Sequence, residues 1–89
     1  MDGVSVTSSS FEGNGTSTAA QYKDILISNI NSCIVSGNMF NRHSSGTPAT
    51  VNNVEINSYT IVTNNVFHSS GDNVKQNGSN NVVANNVNH

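Results

Sequence analysis

Apolar runs of two or three residues recur along the chain, and Asn, Ser, Thr and Gly fill the spaces between them. Ile25-Leu26-Ile27 and Cys33-Ile34-Val35 are two such runs. Brief β-branched runs suit strands, and the polar spacers suit turns. Helix signals are missing. There is no apolar stripe of period 3.6, and Asn, Ser and Thr are poor helix formers. The pattern therefore predicts an all-β chain of short strands.

The runs also share a register. Val6-Thr-Ser-Ser-Ser-Phe11, Val35-Ser-Gly-Asn-Met-Phe40, Val62-Thr-Asn-Asn-Val-Phe67 and Val83-Ala-Asn-Asn-Val-Asn88 align on a Val-x-x-x-x-Phe core. The phenylalanines lie 29 and then 27 positions apart, and Asn88 takes the aromatic slot 21 positions later. The upstream halves align as Asp24-Ile25-Leu26-Ile27, Asn53-Val54-Glu55-Ile56 and Asp72-Asn73-Val74-Lys75. His-Ser-Ser-Gly occurs twice, from His43 and from His68. A repeat this short cannot bury its apolar side alone. Stacking the repeats would pair each strand in parallel with its equivalent one repeat away, at about 4.8 Å.

Strand alternation then assigns the faces. Val6, Val35, Val62 and Val83 point inward, with Val4, Cys33, Thr60 and Asn81 two residues before them. Ile25, Ile27, Val54 and Ile56 line another inner wall. Phe11, Phe40 and Phe67 stack as an aromatic column. Ser9, Asn38, Asn65 and Asn86, three after each valine, mark a bend. An amide tolerates turn dihedrals there and can bond to its equivalent one repeat away.

With these residues quoted, the chain resembles the repeats of right-handed parallel β-helix proteins. This is the pectate-lyase-like superfamily, which includes pectin-degrading enzymes and bacteriophage tailspikes. The resemblance covers nearly the whole chain and implies a right-handed parallel β-helix, a solenoid of about three to four coils. Residues 1–89 then form a single β-helix fragment of a longer parent, without capping elements, with Met1 added ahead of a strand already under way. The low charge and the Asn, Ser and Val content lean toward the phage branch, as does the absence of the cysteine pairs of many secreted plant or fungal enzymes. On that branch the segment is a rigid part of a virion appendage that takes part in adhesion to host-surface polysaccharide. The alternative is a section of a polysaccharide-degrading β-helix, a hydrolase or lyase and a secreted protein, whose cleft lies largely outside these residues. A weaker third reading is an adhesin-type surface repeat.

One predicted feature exceeds what a lone stack needs. The outward positions beside the inner valines read Ser5, Ile34, Ile61 and Val82, and a second outward row reads Ser10, Met39, Val66 and Val87. Both rows turn apolar after the first repeat, and monomers rarely expose such contiguous surface. Ile34, Ile61, Val82, Met39, Val66 and Val87 are therefore candidate interface residues, and the resemblance implies a homotrimer closed about one axis.

Composition excludes several partners. Three Lys plus Arg among 89 residues cannot neutralise a phosphate backbone, so nucleic acid is not expected. The apolar runs are too short for membrane insertion or a secretory signal. Cys33, the single cysteine, reads as a small buried hydrophobe. Catalysis has one candidate pair, Asp24 and Glu55, because glycoside hydrolysis commonly needs two carboxylates about 5–9.5 Å apart. No Lys or Arg is evident beside them: Arg42, Lys23 and Lys75 fall in other segments. His43 and His68 match in motif but lack a third ligand, so no metal and no cofactor is expected. Tyr59, expected outward on the strand of Ile61, is the candidate for stacking on a sugar ring.

Overall fold

A computed structural model describes residues 3–12, 24–41, 53–68 and 74–88. Among the described residues there are eleven strands and no helix. In chain order they are β1 (Ser5–Thr7), β2 (Ser10–Glu12), β3 (Ile25–Leu26), β4 (Ile34–Ser36), β5 (Met39–Asn41) and β6 (Val54–Ile56). They continue with β7 (Ile61–Thr63), β8 (Val66–His68), β9 (Val74–Gln76), β10 (Val82–Ala84) and β11 (Val87–Asn88). The strands form three sheets, β1-β4-β7-β10, β2-β5-β8-β11 and β3-β6-β9, and every pairing is parallel. We call them sheets A, B and C. Each repeat adds one strand to each sheet, except that the first supplies only β1 and β2.

The Val and Phe registers hold throughout. Val6, Val35, Val62 and Val83 are aligned in sheet A, and Phe11, Phe40, Phe67 and Asn88 in sheet B. Neighbouring phenylalanine rings lie 5.0 and 4.9 Å apart and within 8° of parallel. Strand spacing sets that distance, since in-register residues of adjacent strands sit about 4.8 Å apart. Ile25, Ile27, Val54 and Ile56 are buried as expected, and so are Cys33, Val35, Thr60 and Val62. The nine buried apolar residues form one cluster, with Val4, Val6, Phe11, Ile30 and Val74 packed against it. Val83 points the same way as Val35 but is 37% exposed, because β10 is the last strand of its sheet.

The expected alignment of the last upstream half is off by one residue. Val54 pairs with Val74, Glu55 with Lys75 and Ile56 with Gln76. Val74-Lys75-Gln76, and not Asn73-Val74-Lys75, is the equivalent of Val54-Glu55-Ile56. The difference exchanges faces. Val74 packs on the core and Lys75 lies outward beside Glu55.

The bends between sheets A and B are as regular as the strands. Between sheets A and B the chain turns in two residues, the first in the left-handed region: Ser8 (φ 53°), Gly37 (71°), Asn64 (57°) and Asn85 (57°). Gly and Asn adopt this conformation at least cost. The second residue is the Ser9, Asn38, Asn65, Asn86 series. Between sheets C and A the recurring left-handed positions are Gly3, Ser32, Tyr59 and Asn80, and the second repeat adds Asn29 (φ 63°). The fourth repeat carries one residue more here than the third, Gly78, between Asn77, whose N–H donates to the Ile56 carbonyl, and Ser79, whose N–H donates to Ser58 Oγ. A Cβ at Gly78 would lie 2.9 Å from the Ser58 nitrogen and 3.0 Å from the Asn57 carbonyl carbon. Gly78→Ala should therefore force the backbone apart and cost about 1–3 kcal/mol, read as a lower urea midpoint. An unchanged midpoint would show that this bend yields freely.

Candidate functional site

The Asn column is the most ordered polar feature. Asn38 and Asn65 are buried, and Asn86 is half-buried. Each Oδ1 accepts the backbone N–H of the equivalent residue one repeat earlier: Ser9 to Asn38 at 3.0 Å, Asn38 to Asn65 at 2.9 Å, Asn65 to Asn86 at 3.0 Å. Each Nδ2 donates to the carbonyl of the inner valine one repeat earlier, Val6, Val35 or Val62. The amides also bond to one another, Asn38 to Asn65 and Asn65 to Asn86, each at 3.1 Å. These groups satisfy the bend from within, and Asn38 and Asn65 are closed to solvent. Among the described residues no buried side-chain nitrogen or oxygen lacks a partner.

The opposite corner carries a second polar series that the repeat alignment did not reveal. Ser58 N–H donates to Asn31 Oδ1, and Ser79 N–H to Ser58 Oγ. This series runs the other way, from a later backbone to an earlier side chain. Beside it, the Thr60 N–H donates to Asn81 Oδ1 at 2.8 Å. Asn, Ser and Gly are common in this chain, so their positions at this corner gave no distinctive signal.

The predicted outward rows lie on the outer faces of sheets A and B. Ile34, Ile61 and Val82 are in register in sheet A and exposed, and Met39 and Val87 are exposed in sheet B. Val66, between Met39 and Val87, is half-buried, so it contributes less open surface than expected. Leu26 on sheet C is 61% exposed, a third apolar outward position that the alternation implied and the two-row description omitted.

The candidate carboxylates occupy different positions along their strands. Asp24 precedes β3 and is level with Asn53, whose Nδ2 donates to Asp24 Oδ2 at 2.9 Å. Glu55 lies in β6 between Leu26 and Lys75, and Asn77 Nδ2 donates to its Oε2 at 2.6 Å. Both carboxylates are half-buried and both accept an amide hydrogen. The expectation that no cationic side chain stands beside them is corrected: Lys75 is the in-register neighbour of Glu55. The slipped alignment had turned it to the inner face.

Tyr59 is exposed, as expected, but it is not on the strand of Ile61. It stands two residues before β7 in the sheet C to sheet A bend, with φ 55°. His68 ends β8 in register with Asn41, while His43 and Arg42 lie outside the described residues, as does Lys23. Among the described residues no group of three or more His, Cys, Asp or Glu is placed to hold a metal ion, and no helix is long and apolar enough to cross a membrane. Comparison with family models, curated proteins and solved structures finds no match for this chain.

Proposed function

We propose that the three sheets are the walls of a right-handed parallel β-helix that serves as a rigid, laterally associating segment of an extracellular virion appendage of the bacteriophage tailspike type. The observation that carries this reading is the apolar surface shared by sheets A and B. Ile34, Ile61 and Val82 form one row, and Met39, Val66 and Val87 the other. Monomers rarely leave contiguous apolar surface of this kind open to water. A homotrimer with one face of each subunit turned to a common axis covers it symmetrically and leaves no open copy. Rigidity follows from continuous parallel ladders, the phenylalanine stack and the amide column. Adhesion to a host-surface polysaccharide is the role this reading gives the outward surface left free.

The test is solution mass. Ile61 is 42% exposed and central in its row, with Ile34 and Val82 as in-register neighbours. Ile61→Asp should reduce the mass by light scattering from a trimer to a monomer while the β-type circular dichroism persists. A wild-type chain that is already monomeric at tens of micromolar, or a variant of unchanged mass, would sink the reading. The second reading, a section of a secreted polysaccharide-degrading enzyme, rests on Glu55 and its in-register neighbour Lys75. Release of reducing ends from a polysaccharide substrate would move the assignment there.

A further inference from the structure

Tyr59 is the residue in its column that the backbone favours least. The column is Gly3, Ser32, Tyr59, Asn80, with φ of 91°, 63°, 55° and 60°. Glycine has no Cβ to clash, and short polar side chains visit this region by bonding locally. A bulky aromatic there is an outlier. Burial does not compensate, because Tyr59 is 59% exposed. Its hydroxyl bonds to no described residue. Strain held without a packing return is the kind retained where a side chain has a task outside the fold.

The surroundings narrow that task. Residues 27–34, 57–64 and 77–84, the three repeats that meet at this corner, contain no charged side chain. Among these residues a phosphate, a carboxylate or an ammonium group would find no counter-charge. Ser32 N–H donates to the Ser58 carbonyl and Tyr59 N–H to the Ser79 carbonyl, so Ser32 and Asn80 flank Tyr59 along the stack. Both are exposed, as are Asn31 and Ser79. The ring is thus an apolar platform with hydroxyls and amides on either side, each about 4.8 Å away along the stack. A purely apolar ligand would use the ring and leave the polar groups without new partners. A neutral pyranose uses both, placing its C–H face on the ring and its hydroxyls on the flanking groups.

We propose that Tyr59 is the stacking platform of a binding site for neutral, hydroxyl-rich glycans, with Ser32 and Asn80 as the flanking polar contacts. This deepens the adhesion part of the function proposed above and does not depend on the lateral association. The chain has two tyrosines, Tyr22 and Tyr59, and no tryptophan, so tyrosine fluorescence carries the signal of the site, and the change that is lost in Tyr59→Asn belongs to Tyr59. Full-length protein is titrated with maltohexaose, cellohexaose, mannohexaose and, as a polyanion, hexagalacturonate, with calorimetry in parallel. At least one neutral hexaose should bind saturably, and hexagalacturonate should bind more weakly. Tyr59→Asn should weaken that binding roughly tenfold or more, the expected loss for a stacking contact of this size. It should also raise the thermal midpoint, since asparagine suits the left-handed backbone. Tyr59→Phe should bind within about threefold of wild type, because the platform is kept. The proposal is overturned if no neutral hexaose binds, if hexagalacturonate binds best, if Tyr59→Asn binds as well as wild type, or if Tyr59→Asn melts lower. Light scattering of the same samples separates the two readings: a monomer that binds retains this one and removes the trimer, and a trimer that does not bind does the reverse.

Discussion

Phe40→Ala should lower the unfolding free energy by about 3–5 kcal/mol and move the urea midpoint far down. Phe40 is 0% exposed and lies between Phe11 and Phe67 in parallel stacks at 5.0 and 4.9 Å. Truncation removes the transfer free energy of the ring and leaves a cavity that parallel strands held at fixed spacing cannot close. It also breaks both ring contacts, each contributing about 0.5–1.5 kcal/mol beyond burial. A chain of this length is ordinarily stable by only about 4–13 kcal/mol, so the loss is a large fraction of the total. Phe40→Leu keeps most of the volume and should cost about 1–2 kcal/mol. Urea titration followed by far-ultraviolet circular dichroism checks both. A Phe40→Ala midpoint close to wild type would mean that the phenylalanine column does not hold the repeats together.

Asn65→Ala comes next, at about 3 kcal/mol. Asn65 is 0% exposed, and its amide serves four partners: the Asn38 backbone N–H, the Asn38 amide, the Val35 carbonyl and the Asn86 amide. Alanine leaves the Asn38 donors facing a site with no acceptor, and water has little access. The cost comes from those unsatisfied groups more than from the bonds lost, since an unpaired buried polar group costs about 1–3 kcal/mol. Asn86 makes the same kinds of contact but is half-buried, so water can replace its amide. Asn86→Ala should therefore cost only about 1 kcal/mol. This ordering is the discriminating result. Equal losses at the two positions, measured in the same urea series, would show that the column acts through backbone propensity and not through its buried bonds.

Much of the architecture could be read from spacing. The Val-to-Phe interval located sheets A and B and put Asn38 and Asn65 at a bend, because in-register stacking demands that equivalent residues recur at equivalent places. The alternation of Ile25, Leu26 and Ile27 identified the inner wall of sheet C. Reading failed where the repeat length changes. Bends of different length between sheets C and A and an ambiguous Asp-Asn-Val start left the fourth repeat of sheet C open to a slip of a single position, which was enough to hide the Glu55–Lys75 neighbours. Alternation carried back from Ile61 puts Tyr59 on the same strand. The bend is legible only in the aligned repeats, where the equivalent positions are the turn formers Gly3, Ser32 and Asn80.

By itself the sequence determined the all-β character, the spacing of the repeats and the choice of side chains for the core, because periodicity and β-branched content are local and additive properties. Only the tertiary structure decided which polar groups meet. The bonding directions of the two corner series, the half-buried place of Val66 and the left-handed backbone under Tyr59 all depend on contacts between repeats. Those contacts are set by which residues pair, and a slip of one residue in the pairing of a strand exchanges its faces, as the slipped alignment of Lys75 shows.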